Sequence, residues 1–126
     1  MADAAPLYLG LISGTSADGI DVALVRFATH PDVVATRTFA YPDNVQAGVV
    51  ALARNAAAIT LDAYGHLDAA IGACFADAAL ALLRDVGIDA REVAALGSHG
   101  QTVCHRPNGP DPFTLQIGRA SCRERV

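Results

Sequence analysis

Hydrophobic residues fall in short runs over the first third of the chain and at spacings of three and four in the middle. Leu7 to Ile12 (LYLGLI) is continuously apolar, the pattern of a strand buried on both faces. Ile20 to Phe27 (IDVALVRF) is a second strand, rich in β-branched residues. Val33 to Tyr41 (VVATRTFAY) is a third, and Thr36, Arg37 and Thr38 make it wet enough for a sheet edge. The loop signal Ser13 to Gly19 (SGTSADG) separates the first two, so the chain opens as a three-stranded meander. Asp43 can cap a helix from about Asn44 to Ala53, with Val45, Val49 and Leu52 on one face. Thr60 can cap a longer one to about Val86, whose apolar positions Leu61, Tyr64, Leu67, Ile71, Phe75, Ala78, Leu82 and Val86 recur three or four apart. Gly87 then supplies the left-handed stop. Val93 to Leu96 is a short strand running into the loop Gly97 to Thr102. After a turn at Pro107 to Pro112, Phe113 to Ile117 alternates like a half-buried strand. Strands, two helices and returning strands make one α/β domain.

Composition narrows the class. At 126 residues and 52% hydrophobic side chains, the chain has room for one ordinary domain. With charged residues at only 17% it is not disordered, and no apolar run approaches the roughly 18 residues of a membrane span. The N-terminus lacks the positive charge that opens a signal peptide, which suggests a cytoplasmic protein. Net charge is −4 and every basic residue is arginine, so a phosphate backbone would be repelled without a metal. Cys74, Cys104 and Cys122 are an odd set with no CxxC spacing, as in a reducing compartment. The last residues change character: Ile117 to Val126 (IGRASCRERV) resembles a translated sequencing adapter joined to a truncated reading frame. Residues 1–118 are therefore read as native and 119–126 as a non-native tail.

The chemistry concentrates in two segments. Seven residues from Ser13 to Gly19 exceed what a hairpin needs, and their glycines free backbone N–H groups to surround an anion. Ser13, Thr15 and Ser16 add hydroxyl donors. Asp18 and Asp21 would repel phosphate unless Mg²⁺ bridges them to it, so the segment reads as a magnesium-nucleotide loop. From composition alone, a polar loop with Asx-turns fits about as well. A Walker A loop needs a lysine that the chain lacks, and Gly14 to Asp18 misses a nucleophile elbow by one residue, which disfavours a serine hydrolase. In the second segment, Ser98, His99 and Gln101 offer donors and acceptors suited to a sugar beyond a strand end. His99, Cys104 and His105 match no standard zinc spacing.

Taken together, GLISGTSADGIDVALV at Gly10 to Val25, GSHGQTVCHRP at Gly97 to Pro107 and PFTLQIG at Pro112 to Gly118 closely resemble the N-terminal part of the anhydro-N-acetylmuramic acid kinases. The stretch Leu67 to Leu83 is also similar to that family's long helix. The resemblance implies a truncated ribonuclease-H-like lobe of the sugar kinase, hexokinase and actin superfamily, with ATP in a cleft between two lobes. It implies an enzyme that opens the 1,6-anhydro ring with water and phosphorylates the sugar from ATP, giving N-acetylmuramic acid 6-phosphate in cell-wall recycling. Gly14, Thr15, Ser16, Ala17, Asp18, Gly19, Ile20 and Asp21 fall on the family's ATP loop, with Asp18 and Asp21 toward Mg²⁺. Ser98, His99, Gly100 and Gln101 fall on a motif expected at the sugar side. ATP, Mg²⁺ and an amino sugar are the implied partners, and a homodimer is one state open to the full-length protein. Family members are several times longer, and their catalytic aspartate belongs to the part beyond this sequence. An inactive fragment with an exposed apolar face is the expectation, and a stand-alone phosphate- or nucleotide-binding module is the alternative.

Overall fold

The computed structural model describes residues 5–118. The suspected tail, 119–126, lies outside the described residues. Five strands, β1 (Leu7–Ser13), β2 (Ile20–Phe27), β3 (Pro31–Phe39), β4 (Val93–Arg106) and β5 (Phe113–Ile117), form one sheet in the order β3-β2-β1-β4-β5. β1, β2 and β3 are the antiparallel meander, with β3 at the edge. The helices α1 (Asp43–Arg54) and α2 (Leu61–Val86) then carry the chain across, so that β4 lies parallel to β1. β5 returns antiparallel to β4. The crossover needs helices because a parallel strand cannot be reached by a tight turn. This is the α/β lobe that the meander and the two helical stretches predict.

Among the described residues both helices lie on one face of the sheet. Leu7, Leu9, Leu11, Ile20, Val22 and Leu24 point toward them and are buried with Val49, Ile71, Phe75 and Leu82. Burying each such side chain contributes about 1.5–3 kcal/mol. The opposite face is open. β1 therefore alternates instead of being buried on both faces as its apolar run suggests: Gly10 is exposed and Ile12 is 45% exposed. Phe27 is also exposed there and meets the Tyr8 ring edge-on at 5.4 Å.

The helix ends follow local rules with one correction. Thr60 caps α2 by accepting the Ala63 N–H at 3.1 Å, and Gly87 closes it at φ 70. α1 is capped differently from the expectation on Asp43. Pro42 precedes it, and its carbonyl accepts the Val45 and Gln46 amides. Asp43 lies in the first turn, where its charge faces the positive end of the helix dipole. α2 has mean hydropathy 1.5 over its most apolar 18 residues, enough by length and composition for a span. Its buried stripe of Ile71, Phe75, Ala78 and Leu82 instead makes it the core helix of the lobe.

Candidate functional site

β1 ends at Ser13 and β2 begins at Ile20, which leaves residues 14–19 to turn the chain. The Ala17 N–H donates to the Gly14 carbonyl at 3.1 Å. Ala17 is buried with a left-handed φ of 54, a conformation costing roughly 1–2 kcal/mol in a residue with a Cβ. Two side chains hold the loop from below. Gln101 Nε2 donates to the Gly14 carbonyl at 2.8 Å, and Gln46 Nε2 donates to the Ala17 carbonyl at 3.1 Å. Thr15 and Ser16 stand exposed, and their amides have no partner within the described chain. The space where a Gly14 side chain would project is empty. Ser13 departs from the expectation of a phosphate donor: as the last inward position of β1 it is buried, on the side of Tyr41.

Asp21, the second residue of β2, lies on the open face of the sheet, and its carboxylate accepts the Thr38 hydroxyl at 2.6 Å. Asp18 is exposed in the loop. The donor set fits Mg²⁺ held mainly by phosphate oxygens and water with one or two carboxylates. It does not fit a cage built by protein alone, since no group of three or more metal-binding side chains occurs among the described residues.

The second motif is not a loop beyond a strand, as expected from its glycines. β4 runs straight through it, because β1 supplies ladder partners up to Gln101 and β5 takes over from there. Leu11 pairs with Ser98 and Ser13 with Gln101, so two steps along β1 match three along β4. The extra residue is accommodated at Gly100, with φ +78, as in a β-bulge. The bulge changes the phase of the strand. Ser98 faces the helices, His99 faces the open side, and Gln101 again faces the helices.

The three candidate sugar contacts are therefore not brought together. Ser98 lines an apolar groove of about 500 Å³ against α2, with its hydroxyl unpartnered. Gln101 is fully buried. Its amide nitrogen serves the Gly14 and Thr102 carbonyls, and its oxygen accepts the Tyr41 hydroxyl at 3.0 Å. His99 is exposed, with the Gln116 amide nitrogen 2.9 Å from its Nε2.

His99 does share a surface with Asp21. A depression of about 740 Å³ on the open face is walled by Asp21, Thr36, Thr38 and His99. Gly10 and Gly97, paired across β1 and β4, form its floor, and nothing lies within 4 Å of where their Cβ atoms would stand. One carboxylate, one imidazole and two hydroxyls around bare backbone suit a flat, hydroxyl-bearing ligand. Reading the motifs as loops missed this floor. The available signal was a glycine inside each of two apolar strands, which marks a close backbone approach.

Tyr41 ties the core to the loop through Gln101. Burial pushes its hydroxyl above the usual tyrosine range, while the nearby Ser13 hydroxyl pulls it down. The folded state thus favours the protonated phenol. That stability is fully present below the unfolded pKa of about 10 and is lost as pH rises through the raised folded value. Tyr41→Phe should leave the Gln101 oxygen unsatisfied, cost about 1–3 kcal/mol at neutral pH, and flatten the alkaline limb. Denaturant melts of both proteins between pH 8 and pH 11 check this.

A sequence model of the anhydro-N-acetylmuramic acid kinases matches residues 6–123. The chain is 53% identical over 120 residues to the anhydro-N-acetylmuramic acid kinase of Xanthomonas axonopodis pv. citri (strain 306), covering 92% of this chain and 32% of that protein. It is 48% identical over 120 residues to the kinase of that name from Xylella fastidiosa (strain Temecula1), with the same coverage of each. The one from Vibrio vulnificus (strain YJ016) is 41% identical over 116 residues, 91% of this chain and 31% of the relative. The chain thus spans about a third of the length of the curated relatives it matches. A matched stretch that contains both motifs and the whole five-stranded sheet places this chain in the anhydro-N-acetylmuramic acid kinase family.

Proposed function

We propose that this lobe holds the phosphates of magnesium-ATP on the loop Gly14–Asp21. The enzyme it serves opens the 1,6-anhydro ring of anhydro-N-acetylmuramic acid with water and phosphorylates the sugar, giving N-acetylmuramic acid 6-phosphate for cell-wall recycling. One observation carries the reading: the loop's Gly14 and Ala17 carbonyls are tied inward, while Thr15, Ser16, Asp18 and Asp21 are exposed. Outward amides and hydroxyls suit phosphate oxygens. Asp18 and Asp21 are the residues that would hold Mg²⁺, which neutralises charge on the transferring phosphoryl group. His99, in the same depression as Asp21, is the proposed contact to sugar hydroxyls. Dependence on ATP puts the reaction in the cytoplasm.

Phosphoryl transfer depends on positioning and charge stabilisation from both sides of the reacting group. A chain with a third of the family length supplies one side. The purified 126-residue chain should therefore form no phosphosugar from ATP and the anhydro sugar. Product formation above a no-protein blank, read by mass spectrometry, would overturn its assignment as inactive on its own.

A further inference from the structure

We propose that Gln101 and Gln46 are positioning residues of the phosphate loop, each turning one backbone amide toward the nucleotide by holding the preceding carbonyl inward. The proposal rests on the reading of Gly14–Asp21 as a phosphate site.

In a trans peptide the carbonyl and the next residue's N–H point in opposite directions, and no cis bond occurs among the described residues. Gln101 Nε2 holds the Gly14 carbonyl at 2.8 Å, so the Thr15 N–H is directed away from the core. Gln46 Nε2 holds the Ala17 carbonyl at 3.1 Å, so the Asp18 N–H is likewise directed away. Between these two fixed peptides lie the exposed Thr15 and Ser16. Neither clamp belongs to the loop. Gln101 stands on β4 and Gln46 on α1, so the loop is referenced to the sheet and to a helix at once.

Gln101 is itself immobilised. It is fully buried, both amide hydrogens are used, and its oxygen takes the Tyr41 hydroxyl at 3.0 Å. The Gly100 bulge is what brings it under the loop: with Ser98 facing the helices, strict alternation through Gly100 would turn residue 101 to the open side. A phosphate site assembled this way has its donors oriented before ligand arrives, which reduces the ordering cost of binding.

Gln101→Leu and Gln46→Leu keep side-chain volume and remove the donors. Both belong in the full-length enzyme carrying this lobe, with KM measured for ATP and for the anhydro sugar, and Ki for adenosine as a phosphate-free probe. Each variant should raise the KM for ATP at least tenfold while the sugar KM and the adenosine Ki stay within twofold. A general loss of structure would move all three, so parallel shifts, or no shift, would overturn the positioning role. If Gln101→Leu does not fold, Gln46→Leu decides alone, because its side chain is only part-buried on α1. Asp21→Asn is the control for the underlying reading. If it leaves kcat/KM for ATP unchanged, the phosphate loop fails and this proposal fails with it. If it lowers that ratio while neither leucine variant raises the KM for ATP, only the positioning role is overturned.

Discussion

Replacing Gly100 by alanine is expected to destabilise the lobe by about 3 kcal/mol, from roughly 1–2 for a side chain at positive φ and a further 1–3 for overpacking. Gly100 has φ +78, and an added Cβ would come within 2.6 Å of the Ile117 carbonyl oxygen. That oxygen belongs to the backbone of β5, which pairs with Gln101 on β4, so neither strand can yield without breaking the ladder. Relief by removing the bulge would rotate Gln101 out of the core and release Gly14. A melting temperature lower by roughly 10 °C is the expected reading for a domain of this size. Gly97→Ala is the matched control. It lies in the same strand, with no atom near its Cβ position and no positive φ, and should stay within about 0.5 kcal/mol of the parent. Thermal melts of the two variants side by side give the answer. Equal stability would mean that the bulge is not a fixed feature.

The second large effect is on activity. Asp21→Asn in the full-length enzyme should lower kcat/KM for ATP by about 100-fold, the scale seen when one preorganised group at a developing charge is lost. That is about 2.7 kcal/mol at 1.36 kcal/mol per tenfold. The fold should survive, because an asparagine oxygen can still accept the Thr38 hydroxyl that Asp21 accepts at 2.6 Å. Steady-state kinetics at saturating sugar, with ATP and Mg²⁺ varied together, measures it. A change below threefold would remove Asp21 from the nucleotide site.

Much of the scaffold is legible in the sequence because it is set by local rules. The three-and-four spacing describes the buried stripe of α2 from Ile71 to Leu82 but not its first turn, where Leu61 is 85% exposed, and Thr60 and Gly87 mark its ends by their hydrogen-bonding and backbone preferences. The wet residues of β3 place it at the edge. Two features were not legible, and both are long-range. Whether LYLGLI is covered on one face or two depends on what packs against it, and the run itself reads the same either way. Gly97 to Thr102 looks like a loop because glycine and polar residues weaken a strand alone, yet pairing with β1 and β5 extends β4 through it. The same holds for the site. The loop Gly14–Asp21 stands out by composition, but the ties from Gln46, 29 residues on, and from Gln101, 87 residues on, have no local signature. Gln101 was legible as a polar residue in a motif, and only the bulge at Gly100 shows which way it faces.

On the proposed reading, the loop between β1 and β2 holds the phosphates of ATP. Amide hydrogen exchange of the full-length enzyme, with and without MgATP and in the absence of sugar, tests it most directly. Exchange in residues 14–19 should slow on adding MgATP, with Thr15 and Asp18 among the protected amides. Unchanged exchange across that segment, with protection appearing elsewhere, would contradict it.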